Sequence, residues 1–180
     1  MTVTYDAENK LVELIADCPK GATGIKAYKD GKYLGLGYIV GDKITKKFSN
    51  ITKKEARTEH VYTFGLSALF GQIESEIATL EFVVPEMSID PYVLGTSNIT
   101  GTYKGDVDKA KLYINDAYAD VYGGTFKDGS FTFYARNRFT ISDKVELEGM
   151  SKAGKVSVIK QLVEVVSNLE LKDDEDAIDS

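Results

Sequence analysis

Residues 60–70 have the sequence HVYTFGLSALF, and this stretch decides the fold class. From Tyr62 to Ala68 every second residue is apolar, and the residues between them are small or polar. A period of two places alternate side chains on opposite faces, which is the pattern of a β-strand with one face in a core. Similar alternation recurs along the chain, whereas helical periodicity is nowhere sustained over three turns. The sequence therefore predicts an all-β protein.

Candidate strands follow one another about every 8–12 residues with Gly, Asn or Asp between them, a spacing typical of sandwiches and barrels. Asp30-Gly31 and Asp128-Gly129 are hairpin signals, because glycine takes a positive φ at little cost. The strands predicted in the first half are 10–17, 24–29, 33–36, 43–48, 60–70 and 77–84. Those predicted in the second half are 98–103, 109–115, 131–135, 144–150 and 156–166.

The segment 85–95 marks a boundary between two domains, because it holds two of the three prolines, Pro85 and Pro91. Prolines end strands and stiffen linkers. We predict one domain at 1–84, a second at 85–169, and an acidic flexible tail at 170–180. Each domain is near the lower size limit for an independent core.

The acidic charge is concentrated at the end of the chain. Residues 170–180 hold six acids against one lysine, whereas 1–84 and 85–169 are each close to neutral. Binding to nucleic acid needs clustered Lys and Arg, so the charge balance argues against a nucleic-acid partner. The start, MTVTYD, lacks the basic and apolar regions of a signal peptide, and no apolar run is long enough to span a bilayer. Membrane insertion is therefore not expected.

Residues that carry catalytic chemistry are few. Cys18 and His60 are each the only residue of their type. A single cysteine leaves no intramolecular disulfide and no cysteine-based metal site. The sequence around the single histidine gives no sign of the nucleophile and carboxylate that a catalytic triad needs. Five aspartates lie near predicted turns of the second half: Asp106, Asp108, Asp116, Asp120 and Asp128. Clustered carboxylates could bind Ca²⁺, but the usual spacing of a calcium-binding loop is missing. We therefore interpret these aspartates as turn residues. No enzyme activity, cofactor or metal is expected.

A group of basic residues is the first candidate for a partner surface. Within this group Glu55 is the only opposing acid, and its members are Lys43, Lys46, Lys47, Lys53, Lys54 and Arg57. Such a group suits an anionic wall polymer or an acidic partner, including the tail of another copy. Alternatively, these lysines belong to a solvated edge strand that they protect against pairing.

The tyrosines of the second half are the second candidate. Tyrosine combines apolar area with a hydroxyl group, so it stacks well on sugars and at interfaces. The tyrosines of this half are Tyr92, Tyr103, Tyr113, Tyr118, Tyr122 and Tyr134. The strand pattern puts about half of these six in the core. Tyr118 and Tyr122 are the best candidates for exposed residues, on a predicted loop before Gly123-Gly124.

Two stretches of the first half have a family pattern: residues 24–35, GIKAYKDGKYLG, and residues 60–68 followed by Gly71 and 74–76. On these stretches the first half resembles a fibronectin type III domain. The tryptophan of the family's early core is absent, and the corresponding strand carries Leu11, Val12, Leu14 and Ile15 instead.

The second half resembles a bacterial Ig-like domain over residues 87–166. The order and spacing of its motifs agree with that family at Pro91-Tyr92, 99–106, 112–115, 123–125, 128–135 and Gly154-Lys155. The two resemblances together imply two tandem immunoglobulin-like and fibronectin III-like β-sandwiches, which are binding or spacer modules.

The combination of these modules predicts a non-enzymatic protein of a phage that infects Gram-positive bacteria. We expect a tail, baseplate or capsid-decoration protein, located in the virion, that acts in assembly or in host-surface attachment. The alternative is a stalk or ligand-binding module of a bacterial surface adhesin or of a secreted glycanase. The expected partners are other virion or surface proteins, cell-wall polysaccharide and a second copy of the chain.

Overall fold

The computed structural model describes residues 1–52, 61–152, 158 and 160–167. These residues form strands, turns and loops, with no helix among them. Accordingly, nothing within these ranges is a helix long and apolar enough to span a bilayer. The predicted all-β class is confirmed. The chain divides into two compact units, Met1–Val84 and Pro85–Ser180.

The described residues of the first unit form nine strands in two sheets. One sheet has the order β1-β2-β6-β5, and the other has the order β4-β3-β7-β8, with β9 also paired to β7. Their bounds are Thr2–Asp6 (β1), Leu11–Asp17 (β2), Gly24–Lys29 (β3), Lys32–Leu36 (β4), Tyr38–Val40 (β5), Lys43–Phe48 (β6), Val61–Phe70 (β7), Ile73–Glu74 (β8) and Ala78–Val83 (β9).

The core of the first unit is built from the alternating residues of strand β7. Tyr62, Phe64, Leu66 and Ala68 are all buried, as their period of two predicts. Phe64 is fully buried, and aromatic rings on three other positions surround it. In place of a tryptophan, β2 contributes side chains at positions 12 and 14, both completely buried.

In the second unit the part of the chain that the structure describes forms ten strands. Two four-stranded sheets have the orders β10-β12-β16-β15 and β14-β13-β17-β18, and β11 pairs in parallel with β19. Their bounds are Glu86–Ile89 (β10), Tyr92–Val93 (β11), Asn98–Lys104 (β12), Lys109–Ile114 (β13), Ala117–Gly123 (β14), Thr125–Lys127 (β15), Ser130–Tyr134 (β16), Val145–Met150 (β17), Gln161–Leu162 (β18) and Val165–Val166 (β19).

The two units have the same strand order, although their sequences are not evident copies of each other. When β8 and β11 are set aside, one sheet of each unit joins its first, second, sixth and fifth strands. The other sheet joins the fourth, third, seventh and eighth strands. Each of these eight strands of one unit therefore has a counterpart strand in the other.

The predicted strands 24–29 and 43–48 agree with β3 and β6 at both ends. The prediction of one strand over 156–166 is wrong within the described residues, which form two short strands, β18 and β19, separated by residues 163 and 164. Residues 153–157 and 159, together with the predicted tail, lie outside the described residues. The sequence also missed β1, β5, β8, β10, β11, β14 and β15.

Glu74 is the centre of a polar network on the first unit. Its Oε2 lies 2.5 Å from the Lys26 Nζ, and its Oε1 accepts hydrogen bonds of 2.5 Å from the hydroxyls of Tyr28 and Ser67. The hydrogen bond from Lys26 is the main cause that lowers the pKa of Glu74 from 4.5 to about 2, and those from Ser67 and Tyr28 add to it.

This network predicts a loss of stability of the first unit in acid. Because the folded pKa of Glu74 is below its unfolded one, its ionised form stabilises the fold fully above about pH 4.5 and loses that effect as the pH falls toward 2. We expect Glu74→Gln to flatten the fall of the melting temperature over this range. The melting temperature of each variant is measured from pH 6 down to pH 2. The control is Glu76→Gln, a substitution at an exposed neighbouring residue. Equal pH profiles for the two variants would contradict the assignment.

Candidate functional site

The hairpin of β13 and β14 positions the tyrosines of the second unit. Asn115 and Asp116 both have positive φ, 51° and 68°, and connect the two strands as a two-residue turn. This turn sets Tyr118 opposite Tyr113, and further along Tyr122 lies opposite Lys111. The prediction that Tyr118 and Tyr122 lie on a loop is wrong, since both lie on β14. The turn before this strand was not recognised because Asn-Asp takes the left-handed conformation without the glycine that marks most such turns.

Strand β14 exposes one set of side chains and turns the other toward the core. Ala119 and Val121 pack against the core, whereas Tyr118, Asp120 and Tyr122 face solvent. The exposed fraction is 42% for Tyr118 and 67% for Tyr122. We call the solvent side of the β14-β13-β17-β18 sheet the tyrosine face; it carries Lys109, Lys111, Tyr113, Tyr118, Tyr122, Glu146, Glu148, Lys160 and Leu162.

Tyr113 is fixed at the centre of the tyrosine face. Its hydroxyl donates a hydrogen bond of 2.6 Å to Oε2 of Glu148, which is 8% exposed. Burial, followed by the neighbouring Glu148 carboxylate, raises the pKa of Tyr113 to about 12, so the phenol keeps its proton at neutral pH. The ring centroids of Tyr113 and Tyr118 are 5.8 Å apart. The central ring is therefore held in place by a hydrogen bond beneath it.

Each of the three tyrosines on this face has a lysine over its ring. The Nζ atom of Lys111 lies 5.5 Å from the ring centroid of Tyr118, and that of Lys109 lies 5.8 Å from the centroid of Tyr122. The Nζ atom of Lys160 lies 3.8 Å from the centroid of Tyr113. These distances are within the range of cation–π attraction. The face therefore presents alternating aromatic and cationic groups.

One end of the face is closed by an ion-pair group. Lys144 lies between Asp116 and Glu146, with its Nζ 2.6 Å and 3.3 Å from their carboxylate oxygens. Its hydrogen bond is the main cause that lowers the pKa of Asp116. Two carboxylates share this one lysine, so the group keeps a net negative charge. The other lysines of the face are the three that lie over the tyrosines.

Sequence reasoning singled out two of the tyrosines but missed the three lysines. A signal for two of them was present, because Lys109, Lys111 and Tyr113 alternate along β13 and so share a face. Lys160 had no such signal, since it precedes the short strand β18 and comes to Tyr113 only through the folded sheet.

The basic group predicted in the first unit is divided by the structure. Lys43 forms an ion pair with Asp17, and Lys46 donates to the carbonyl oxygens of Leu34 and Leu36 at 3.3 Å and 2.8 Å. Lys47 is exposed on the opposite face of β6 from Lys46. The remaining members, Lys53, Lys54 and Arg57, lie outside the described residues, as does His60.

The interpretation of these lysines as protection of an edge strand is wrong for β6. This strand lies between β2 and β5 and is paired on both sides. The edge is the three-residue strand β5, which the sequence missed because it is so short.

Two of the aspartates, Asp116 and Asp128, lie in turns, whereas Asp120 lies within β14. Asp116, Asp120 and Asp128 have positive φ of 68°, 56° and 52°, a conformation that Asp tolerates better than most residues. Over the described ranges, no group of three or more His, Cys, Asp or Glu side chains is placed to hold a metal ion.

Comparison with known proteins identifies the type of domain. Residues 86–167 match the family model of the bacterial Ig domain. The chain has an Ig-like and fibronectin III-like architecture. Its strand order agrees, since Ig sandwiches place strands A, B, E and D in one sheet and C, F and G in the other, and both units follow this order. Domains of these types are generally non-catalytic modules. We call the second unit the Ig-like domain.

Solved structures with similar folds cover most of this chain. The fibronectin(III)-like modules of CbhA from Clostridium thermocellum are 10% identical, with 92% of this chain and 93% of that chain covered and a TM-score of 0.33. The tandem Ig repeats of Dlar are 12% identical, with 89% and 91% covered and a TM-score of 0.31. None of the curated proteins matches this chain.

A third solved structure is the protein SGBP-B from the mixed-linkage glucan utilization locus of Bacteroides ovatus, in complex with a mixed-linkage heptasaccharide. It is 14% identical, with 91% of this chain and 43% of that chain covered and a TM-score of 0.30. Because the TM-scores are low, the type of domain is assigned here from the strand order and the family match.

Proposed function

We propose that this chain is a non-catalytic attachment module that binds polysaccharide at a bacterial surface through the tyrosine face of the Ig-like domain. The observation that carries the proposal is the pair of exposed rings, Tyr118 and Tyr122, on a regular strand. Phenol rings stack on the apolar faces of sugars while their hydroxyls remain available for hydrogen bonds. Groups on strands are held more precisely than groups on loops, so little ordering is needed when a ligand binds.

A sheet face of this kind suits an extended polymer better than a small molecule. The tyrosines lie along a solvent-exposed strand at the edge of a sheet, and Leu162 adds exposed apolar surface on β18 at the opposite edge. Such an open face contacts several units of a chain at once. Each contact is weak, but contacts repeated along a polymer raise the overall affinity without any new type of interaction.

The setting in which the module acts belongs to the same proposal. We propose the virion of a phage that infects Gram-positive bacteria, and alternatively a bacterial surface adhesin or a secreted glycanase. Detection of the protein in purified phage particles supports the first setting. Its recovery from cell walls of uninfected bacteria, and not from particles, supports the alternative.

Loss of the exposed rings is expected to weaken attachment. We expect Tyr118→Ala and Tyr122→Ala each to reduce affinity for wall polysaccharide about tenfold, which corresponds to ~1.4 kcal/mol. The measurement is binding of the labelled protein to Gram-positive cells before and after their wall polysaccharides are stripped. Tyr33→Ala is the matched control, because Tyr33 is 52% exposed on β4, the counterpart of β14 in the first unit. Binding that survives stripping, or that Tyr33→Ala weakens equally, would refute the proposed site.

A further inference from the structure

The lysines of the tyrosine face have aromatic rings as their partners. Among the described residues, no carboxylate lies within ion-pair distance of Lys109, Lys111 or Lys160. Lys43 and Lys144, in contrast, are both paired with acids. The ammonium groups of the face are placed over aromatic rings and keep their charge available.

The counterpart face of the first unit also has a cross-strand pair of tyrosines, but its neighbouring lysine is paired with an acid. There Tyr28 and Tyr33 face each other across the β3–β4 hairpin, as Tyr113 and Tyr118 do across β13–β14. Lys26 stands two residues before Tyr28, but its Nζ is paired with Glu74.

On the Ig-like domain the corresponding lysine is Lys111, two residues before Tyr113. Glu148 lies opposite Lys111 in the register, but its carboxylate accepts the hydroxyl of Tyr113. The tyrosine face therefore retains a cation that the first unit neutralises.

The acids near the tyrosine face equal its lysines in number but have other partners. Glu146 and Asp116 share Lys144 at one end, and Glu148 is buried and hydrogen-bonded. Asp120 is exposed on β14 and has no ion pair among the described residues. The charges of the face therefore balance overall, but the groups placed over its rings are three ammonium groups without an ion pair among the described residues.

We propose that the polysaccharide bound by the tyrosine face is anionic, a polymer whose sugar units carry phosphate or carboxylate groups. This inference rests on the proposed function and adds the class of ligand to it. A sugar ring stacked on Tyr118 or Tyr122 brings its charged substituent beside the ammonium of Lys111 or Lys109. Lysine binds phosphate and carboxylate oxygens as a point charge without a fixed direction, which suits repeating units that slide along the sheet.

The test compares charged polymers with their neutral parents. The full chain is titrated with dextran, phosphorylated dextran, polygalacturonate and its methyl ester, each at about 0.05 M and 0.5 M salt, because exposed charges separated by more than a few ångströms are screened at the higher concentration. We expect each charged polymer to bind at least tenfold more tightly than its neutral parent at low salt. The advantage should shrink at high salt. Comparison of phosphorylated dextran with polygalacturonate then shows which anion is preferred.

The variant that tests the site removes its three cations, K109Q/K111Q/K160Q. We expect it to lose the preference for charged polymers and to retain binding to dextran, while the Lys→Arg version retains both. The control is K20Q/K32Q/K47Q, which removes the same charge from three exposed lysines of the first unit. A melting temperature for each variant checks that it is folded.

Two results would overturn the inference by different routes. Equal affinity for charged and neutral polymers would refute the anionic ligand while the proposed function stands. Loss of the preference in the control variant as well would show that net charge, not the tyrosine face, is responsible. Failure to bind any polymer or any wall preparation would refute the proposed function and the inference together.

Discussion

Phe64→Ala is expected to unfold the first unit at a temperature far below that of the wild-type chain. The ring is fully buried and lies 4.6 Å from the ring centroid of Phe48, 5.9 Å from that of Tyr62 and 6.1 Å from that of Phe82. Replacing such a buried phenylalanine costs about 3–5 kcal/mol, since the transfer energy of the ring is lost and a cavity remains. In a domain of this size each kcal/mol shifts the melting temperature by roughly 4–8 °C.

The measurement is calorimetry of the full chain, in which the fall in melting temperature of the variant is compared with that of Phe70→Ala. Phe70 ends the same strand but is 37% exposed, so its removal is expected to cost much less. A shift for Phe64→Ala no larger than that for Phe70→Ala would show that the aromatic cluster is not the centre of this core.

Gly101→Ala is expected to destabilise the Ig-like domain by about 3 kcal/mol, although it adds a single methyl group. Gly101 lies on β12 between β10 and β16, and a Cβ atom there would be 2.1 Å from the carbonyl oxygen of Ser88 and 2.7 Å from the ring of Phe131. Overpacking a tight core costs about 1–3 kcal/mol. We expect the upper end, because the closest atom belongs to the backbone and moves only with its strand.

The effect is measured by chemical denaturation of the variant beside Thr102→Ala. Thr102 is the next residue on the same strand and faces solvent, so its replacement is expected to cost no more than about 0.5 kcal/mol. If both variants unfold at the same denaturant concentration, the close packing of β10 on Gly101 is wrong.

The sequence predicted the elements that one strong local pattern specifies. Strand β7 was predicted because Tyr62, Phe64, Leu66 and Ala68 alternate over a long run. Strand β3 was predicted because the Asp30-Gly31 turn ends it. Strand β14 was missed because its turn is Asn-Asp, and β5 and β8 are too short to show any period.

The site was predicted only in part, for a related reason. The choice of Tyr118 and Tyr122 followed from residue type and a predicted loop position, and the structure exposes both side chains. The lysine–ring pairs depend on which residues of β13 and β14 lie opposite each other, and the register shifts between Lys111 and Tyr113. A shift of this kind depends on the folded sheet and the positive φ of Asp120, so the sequence alone could not place the lysines over particular rings.

The parallel pair β11 and β19 has a mechanical consequence for a module that holds something to a surface. β11 comes near the start of the Ig-like domain and β19 near its end, and the pair is joined by bonds from the Tyr92 amide to the Glu164 carbonyl at 2.8 Å and from the Leu94 amide to the Val166 carbonyl at 2.9 Å. When the two ends of the domain are pulled apart, parallel strands are drawn past each other along their length. The load then falls on all these bonds in shear, and they must yield together instead of opening one at a time.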